Sequence, residues 1–189
     1  MSQQIHFTYD LEQASFAALT NKLRELAGTK ANTYIARALN KTAVTARKKL
    51  ASKAQDAYTV KTRGFNSEMQ IKKATSGDLV AEIKSHGNTL DVDKFHWSKG
   101  GKKTGAKINV VKAGLKPIHK NEPKAFVGGG SANGKVYYRK GKSRLPIEKV
   151  KSKSVPYMIG SNRVFVPTRS EIESDLKKYM QQQIKALLG

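Results

Sequence analysis

Residues 168–188, TRSEIESDLKKYMQQQIKALL, carry the clearest structural signal in the chain. Thr168 and Glu171 have the spacing of a capping box, in which two side chains satisfy free backbone amides at a helix start. Apolar residues then recur every four positions, so they fall on one face of a helix: Ile172, Leu176, Met180, Ile184 and Leu188. The pattern predicts an amphipathic C-terminal helix that begins near residue 168, after Pro167 ends an extended segment.

Two more helical patterns stand near the N-terminus. Apolar residues follow at helical spacing over residues 11–26, behind Asp10 as a capping residue, and Gly28 is placed to end this helix in a left-handed turn. The second pattern covers residues 32–57, where the apolar stripe is rich in alanine. Because alanine side chains are small, this helix is expected to approach another element closely.

Between the helical ends the apolar period changes to that of strands. Apolar and polar residues alternate over residues 69–71 and 79–83, on either side of a turn at residues 75–78, which predicts a hairpin. Short extended pieces follow near residues 107–113, 125–127 and 135–140, separated by Gly-rich or Lys-rich loops.

The order of these patterns predicts the α+β fold class. We expect long N-terminal helices and a C-terminal amphipathic helix packed on a small antiparallel sheet, with extended basic loops or arms. The expected divisions are a helical and hairpin part at 1–98, a basic, Gly-punctuated segment at 99–160, and the C-terminal helix at 161–189. That helix is expected to form one domain with residues 1–98.

The charge of the chain is strongly unbalanced. It has 36 Lys and Arg against 14 Asp and Glu in 189 residues, a formal net charge of +22. Residues 99–153 contain 16 basic and 2 acidic side chains, so this segment alone carries +14. A block of like charge repels itself, which indicates a surface or arm that is completed by a polyanion or an acidic partner.

Two features exclude whole classes of protein. Cysteine is absent, so disulfides, thiolate metal sites and Cys nucleophiles are excluded. No apolar run approaches the ~18 residues of a membrane span, and the first residues lack the layout of a signal peptide. We therefore expect action in the compartment where the protein is made, without a membrane partner.

One segment nearly spells a phosphate-binding loop. Gly129, Gly134 and Lys135 have the required spacing, but Val136 stands where Ser or Thr would hold magnesium. The residues after it continue an extended pattern where a helix should begin, so a hairpin connection is the stronger interpretation.

No other catalytic or metal-binding pattern is present in the sequence. The histidines are widely spaced, with Asp91 and Asp93 near His96; the four are His6, His86, His96 and His119. The acidic residues are few and scattered, and no nucleophile motif occurs. We predict no metal, no cofactor and no enzymatic activity.

Three interpretations of the basic block stay open from the residues alone. It can neutralise nucleic-acid phosphates, dock on acidic neighbours in an assembly, or form a solvated surface. In the first, Tyr137 and Tyr138 are available for stacking beside the cations. The predicted contacts for DNA or an acidic partner are Lys99, Lys102, Lys103, Lys107, Lys112, Lys116, Lys120, Lys124, Arg139, Lys140, Lys142 and Arg144.

Two stretches resemble a known protein family. Residues 135–160, KVYYRKGKSRLPIEKVKSKSVPYMIG, have an aromatic strand that ends in Arg139, a basic turn, then Arg-Leu-Pro-Ile-Glu and Ser-Val-Pro. Residues 36–50, ARALNKTAVTARKKL, look like the long N-terminal helix of the same family. Both resemble the tail-completion proteins of long-tailed bacteriophages, typified by minor tail protein Z.

The resemblance implies a non-enzymatic structural protein of the virion. Its expected place is the head-proximal end of the tail, where it helps finish the tail and join it to the head around the DNA channel, after assembly in the host cytoplasm. The resemblance also implies a homo-oligomeric ring, with a hexamer as the expected form, and other tail and neck proteins as partners, with genomic DNA as a further partner in the channel.

Within this resemblance, the two proline motifs are the expected assembly elements. Pro146 and Pro156 fix an extended backbone and remove hydrogen-bond donors, which suits a strand edge or an arm lying on a neighbour. The predicted assembly motif is Leu145, Pro146, Ile147, Val155 and Pro156, although its apolar members are equally typical of an ordinary core. The alternative function is a free, non-specific nucleic-acid-binding protein.

Overall fold

The computed structural model describes residues 3–7, 14–61, 64–100, 105–118, 125–129 and 134–188. Two long helices dominate this part, α2 (Ala31–Ala57) and α4 (Asn162–Leu188). The two other α-helices of this part are α1 (Ala14–Ala27), before α2, and the short α3 (Val155–Ile159), before α4. A 3₁₀ turn at Gly28–Lys30 links α1 to α2, and Gly28 has a φ of 50°, which confirms the predicted left-handed turn.

The helices α1, α2 and α4 pack on one another and bury the predicted apolar stripes. In α2 the alanines Ala43, Ala46 and Ala54 are fully buried, so the backbones of α2 and α4 approach closely. In α4 the buried residues recur every four positions: Val164, Thr168, Ile172, Leu176 and Met180. The stripe fades toward the C-terminus, where Leu188 is exposed.

The start of α4 differs from the sequence prediction. The helix begins at Asn162, and Pro167 lies inside it. Thr168 is not a capping residue: it is buried, and its hydroxyl donates a hydrogen bond to the Val164 carbonyl one turn earlier. Proline removes one backbone donor near the start of a helix, and burial of Val164 in the helical core offsets that loss.

A three-stranded antiparallel sheet lies beside the helices. It is made of β1 (Gln3–Phe7), β2 (Met69–Lys72) and β3 (Glu82–Gly87), in the order β1-β3-β2. The turn between β2 and β3 is closed by a hydrogen bond from the Thr75 amide to the Asp78 carbonyl (2.8 Å), so the predicted hairpin is confirmed.

The other strands form smaller antiparallel sheets. β4 (Thr89–Asp91) pairs with β11 (Lys151–Ser154), while β5 (His96–Ser98), β6 (Lys107–Asn109) and β7 (Lys116–Pro117) form a second group. The third group is β8 (Phe126–Val127), β9 (Val136–Arg139) and β10 (Ile147–Lys149).

We call the described residues within 92–150 the basic lobe and the remaining described residues the helical body. The basic lobe joins the end of α2 through backbone hydrogen bonds from Thr59 to Val110 (3.1 Å) and from Lys112 to Ala57 (3.1 Å). The fold is therefore mixed α+β, as predicted, with several small sheets where one was expected. The divisions at residues 98 and 160 stay a prediction.

No helix within the described ranges is long and apolar enough to span a membrane.

Candidate interaction surface

The basic lobe is built around a small core of its own. The buried residues of this small core are all valine or alanine: Val92, Ala106, Ala125, Val136 and Val150. Phe95 of the lobe is also fully buried, but it packs into the core of the helical body. Half-buried Trp97, Ile108, Ile118 and Tyr138 pack around them. Because few apolar side chains are available, most other side chains of the lobe face outward, and many of them are cationic.

The segment that nearly spells a phosphate-binding loop connects two antiparallel strands. β8 pairs with β9, and the Gly128 amide donates to the Lys135 carbonyl at 2.9 Å. A phosphate-binding loop needs a helix directly after its lysine, whereas Lys135 precedes strand β9. The predicted hairpin connection is confirmed at both ends; residues 130–133 lie outside the described residues.

One acidic residue organises the β9–β10 hairpin. Glu148 forms an ion pair with Lys140 and accepts a hydrogen bond from the Tyr138 hydroxyl. The hydrogen bond from Lys140 lowers the pKa of Glu148 below its ordinary value, and that from Tyr138 adds to the shift. The same contacts with Glu148 raise the pKa of Lys140 and that of Tyr138. Lys140 is thus compensated within its own chain, although it was predicted as a partner contact.

Arg139 also makes contacts that stabilise the β9–β10 hairpin. Its guanidinium lies 5.0 Å from the centre of the Phe126 ring, a cation–π contact, and one of its nitrogens donates to the Arg144 carbonyl. The tyrosines predicted for stacking are also engaged: the Tyr137 ring lies 6.4 Å from Phe126, and the Tyr138 hydroxyl binds Glu148.

The carboxylates near His96 form ion pairs with a lysine. Lys149 pairs with Asp91 and lies 4.0 Å from Asp93, and the hydrogen bond to Asp91 raises the pKa of Lys149. The described residues contain no group of histidines and acids that could hold a metal ion. His119 lies outside the described residues, as does the side chain of His6.

The other predicted cations fall into three groups. Lys99, Lys107, Lys112 and Lys116 lie on or beside the β5-β6-β7 sheet. Lys142 and Arg144 lie in the exposed turn between β9 and β10. Lys102, Lys103, Lys120 and Lys124 lie outside the described residues. Neither of the first two groups forms an ion pair with a carboxylate of the described chain.

The predicted assembly motif is divided between surface and core. Leu145 and Pro146 are exposed in the β9–β10 turn, and Ile147 is half-buried on β10. Val155 and Pro156 are buried in the helical body, where an added Cβ on Gly87 would lie 3.1 Å from the Pro156 ring.

The extended arm predicted at Pro156 is wrong. Ser154 caps helix α3 by accepting a hydrogen bond from the Tyr157 amide at 3.3 Å, and Pro156 lies in the first turn of that helix. Ser-Val-Pro is therefore a helix start, since a capping serine and an early proline both favour one.

A family comparison covers both parts of the molecule. The family model described as prophage minor tail protein Z (GPZ) matches residues 17–189. The chain belongs to this family. No curated protein and no solved structure matches the chain.

Membership in the minor tail protein Z family gives the chain a structural role in a bacteriophage tail, among other tail proteins. The matched range includes α2, α4 and the whole basic lobe.

Two residues that hold cations of this surface in place were not identified from the sequence. Glu148 and Phe126 hold Lys140 and Arg139 in place. Glu148 is one of only two acids among residues 99–153, a signal that an acid there has a fixed partner. Its partner could not be named, because the register of β9 against β10 was not known.

Proposed function

We propose that this chain completes the tail at its head-proximal end and helps join the tail to the head around the DNA channel. Family membership supports a structural role in the tail. The observation that carries the finer assignment is the set of basic-lobe cations that make no ion pair with a described carboxylate. Genomic DNA is the densest polyanion in a phage particle, and lysines without protein partners are suited to the wall of its passage.

The proposed assembly is a ring of identical copies, with a hexamer as the expected form. A ring repeats the cations around the channel, so that Lys99, Lys107, Lys112 and Lys116 of each copy face the DNA at one level. Contacts with phosphates do not depend on sequence, which suits a passage for a whole genome. The function is structural, without a catalytic step, and other tail and neck proteins are the remaining partners.

Electron microscopy of virions with a gold-labelled tag on this protein tests the proposed position. The label is expected at the junction of tail and head in every particle. Virions with an untagged copy of the gene provide the control. Label along the tail tube or at the distal tip would contradict the proposal.

The same charge supports a second candidate, a free protein that binds nucleic acid without sequence preference. It predicts that the isolated protein binds duplex DNA, with log affinity falling by about 0.9 per phosphate contact for each unit of log salt. Lys107→Glu with Lys116→Glu should reduce both the affinity and the slope. Lys177→Glu with Lys178→Glu, on exposed α4 positions, is the matched control. Weak DNA binding at low salt would remove this candidate.

A further inference from the structure

The turn between β9 and β10 presents an apolar side chain at its end. We call residues 140–146 the hairpin tip; all seven are exposed. Leu145 is 67% exposed, the highest value for a large apolar side chain in the described part of the chain. Exposed apolar side chains are common when they are scattered, so the surroundings of Leu145 decide its meaning.

The hairpin tip is held in shape by the strands behind it. The Lys140 amide donates to the Pro146 carbonyl at 3.2 Å, which closes the turn. Arg139 donates to the Arg144 carbonyl while it stacks on Phe126, and Lys140 pairs with Glu148. A braced turn loses little conformational freedom on binding, so more of its contact energy appears as affinity.

Two exposed cations precede the apolar side chain in the hairpin tip. Lys142 and Arg144 are exposed and make no ion pair with any described carboxylate, in contrast to Lys140. Leu145 offers apolar area, and its neighbours offer charge to acids on a facing surface. Central apolar anchors with charged rims are typical of protein interfaces.

We propose that the hairpin tip inserts Leu145 into an apolar pocket, bordered by carboxylates, on a neighbouring protein of the tail. This inference rests on the proposed place of the chain in the tail. A phosphate backbone offers no pocket for a leucine, which favours protein over DNA as the occupant.

A different protein is favoured over a second copy of this chain. Most acidic side chains with described positions are already paired with lysine or arginine, through the ion pairs of Glu25, Asp78, Glu82, Asp91, Asp93, Glu148, Glu171, Glu173 and Asp175. Another copy therefore provides few free carboxylates for Lys142 and Arg144.

Tails assembled without this protein are the direct probe. Tails purified from a prophage with the gene deleted are mixed with purified full-length protein, and the bound fraction is measured by sedimentation over a range of concentrations. Leu145→Asn is expected to weaken binding by about 10- to 100-fold, because a central anchor is lost. Lys142→Glu with Arg144→Glu is expected to weaken binding most at low salt.

Leu188→Asn is the matched control. Leu188 is 65% exposed on α4, so it equals Leu145 in residue type and exposure. It is expected to leave tail binding within about twofold of the unchanged protein. Thermal unfolding of both variants should match the unchanged protein, since neither side chain lies in a core.

Different results of these experiments identify different binding partners of the hairpin tip. Unchanged tail binding by Leu145→Asn would overturn the inference and leave the tail role intact. Loss of duplex DNA binding by Leu145→Asn, with tail binding intact, would make the tip a wedge between bases. Loss of self-association would identify a second copy as the occupant. Gold label away from the head-proximal end would instead overturn the proposed position.

Discussion

The helical body and the basic lobe differ in how they are stabilised. The core of the helical body contains large side chains, among them Phe16, Leu39 and Met180, and joins α1, α2, α4 and the β1-β3-β2 sheet. The core of the basic lobe contains only valine and alanine. Because burial stabilises a fold in proportion to apolar area, the helical body holds most of the stability. The basic lobe depends more on its polar contacts.

The two parts also treat charge differently. Across the α2–α4 interface, the Lys49 ammonium lies 2.8 Å from Asp175 and 3.4 Å from Glu171, and Lys53 adds a contact to Glu171. In the described part of the basic lobe, only Lys140 and Lys149 have such partners. The described helical body thus holds more ion pairs than the described basic lobe, although many of its cations, such as Lys48 and Lys178, also lack one.

The largest expected effect is a cavity in the helical body. Leu39→Ala removes a fully buried side chain from α2. We expect the free energy of unfolding to fall by about 2–5 kcal/mol in urea denaturation. Leu188→Ala, at an exposed position of α4, should change it by less than about 0.5 kcal/mol. Equal effects of the two would contradict a dominant helical core.

The next effect tests whether the basic lobe loosens by itself. Val136→Ala trims a buried residue of the small core and should cost about 1–2 kcal/mol. Hydrogen exchange should become faster in β8, β9 and β10 while α2 and α4 keep their protection, because the lobe is the less stable part. Faster exchange throughout both helices would show that the two parts unfold together. Val44→Ala, at an exposed position of α2, is the control.

A smaller effect is expected for the ion pair between Lys49 of α2 and Asp175 of α4. Lys49→Met leaves Asp175 without its cation and should cost about 1 kcal/mol, between the values for exposed and buried pairs. The hydrogen bond to Asp175 raises the pKa of Lys49, so its stabilisation is present at neutral pH and is lost as the pH rises through that raised pKa. Lys48→Met, at the exposed neighbouring position, should have almost no effect in thermal unfolding.

The smallest effect concerns acid dependence in the basic lobe. The pKa of Glu148 is lowered in the folded protein, so its contribution to stability is present above the ordinary value of 4.5 and is lost as the pH falls through the lowered pKa. Glu148→Gln should lower Tm slightly at neutral pH, and this difference should shrink as the pH falls through the lowered pKa. Glu68→Gln, an exposed acid without an ion pair in the described chain, should show no such difference. A difference that does not shrink as the pH is lowered would exclude this cause.

The sequence predicted the elements of the fold where local pattern decides them. The apolar stripe of α2, the turn at Gly28 and the β2–β3 hairpin depend on neighbours a few residues apart, and all three are confirmed. The start of α4 was predicted wrongly, because Pro167 was taken to end an extended segment before the helix. Burial of Val164 decides that start, and burial is a property of the whole fold.

The excess positive charge of the candidate surface could be predicted from the sequence, but the partners of its individual side chains could not. The excess of lysine in residues 99–153 is evident from composition. Whether a given lysine is paired depends on strand register: Lys140 pairs with Glu148 across the hairpin, while Lys142 makes no ion pair with a carboxylate whose position is described. Likewise, the sequence alone did not show that Ser154 caps helix α3. Ser-Val-Pro was therefore predicted as part of a strand edge or an arm.

Lysine footprinting tests most directly the claim that the basic lobe is the surface used in assembly. Acetylation is compared, by mass spectrometry, in the free protein and in assembled tails. We predict that Lys116 and Lys142 lose most of their reactivity in tails, whereas Lys48 and Lys178, exposed on the helical body, keep theirs. Protection of Lys48 and Lys178 with unchanged reactivity of Lys116 and Lys142 would contradict the claim.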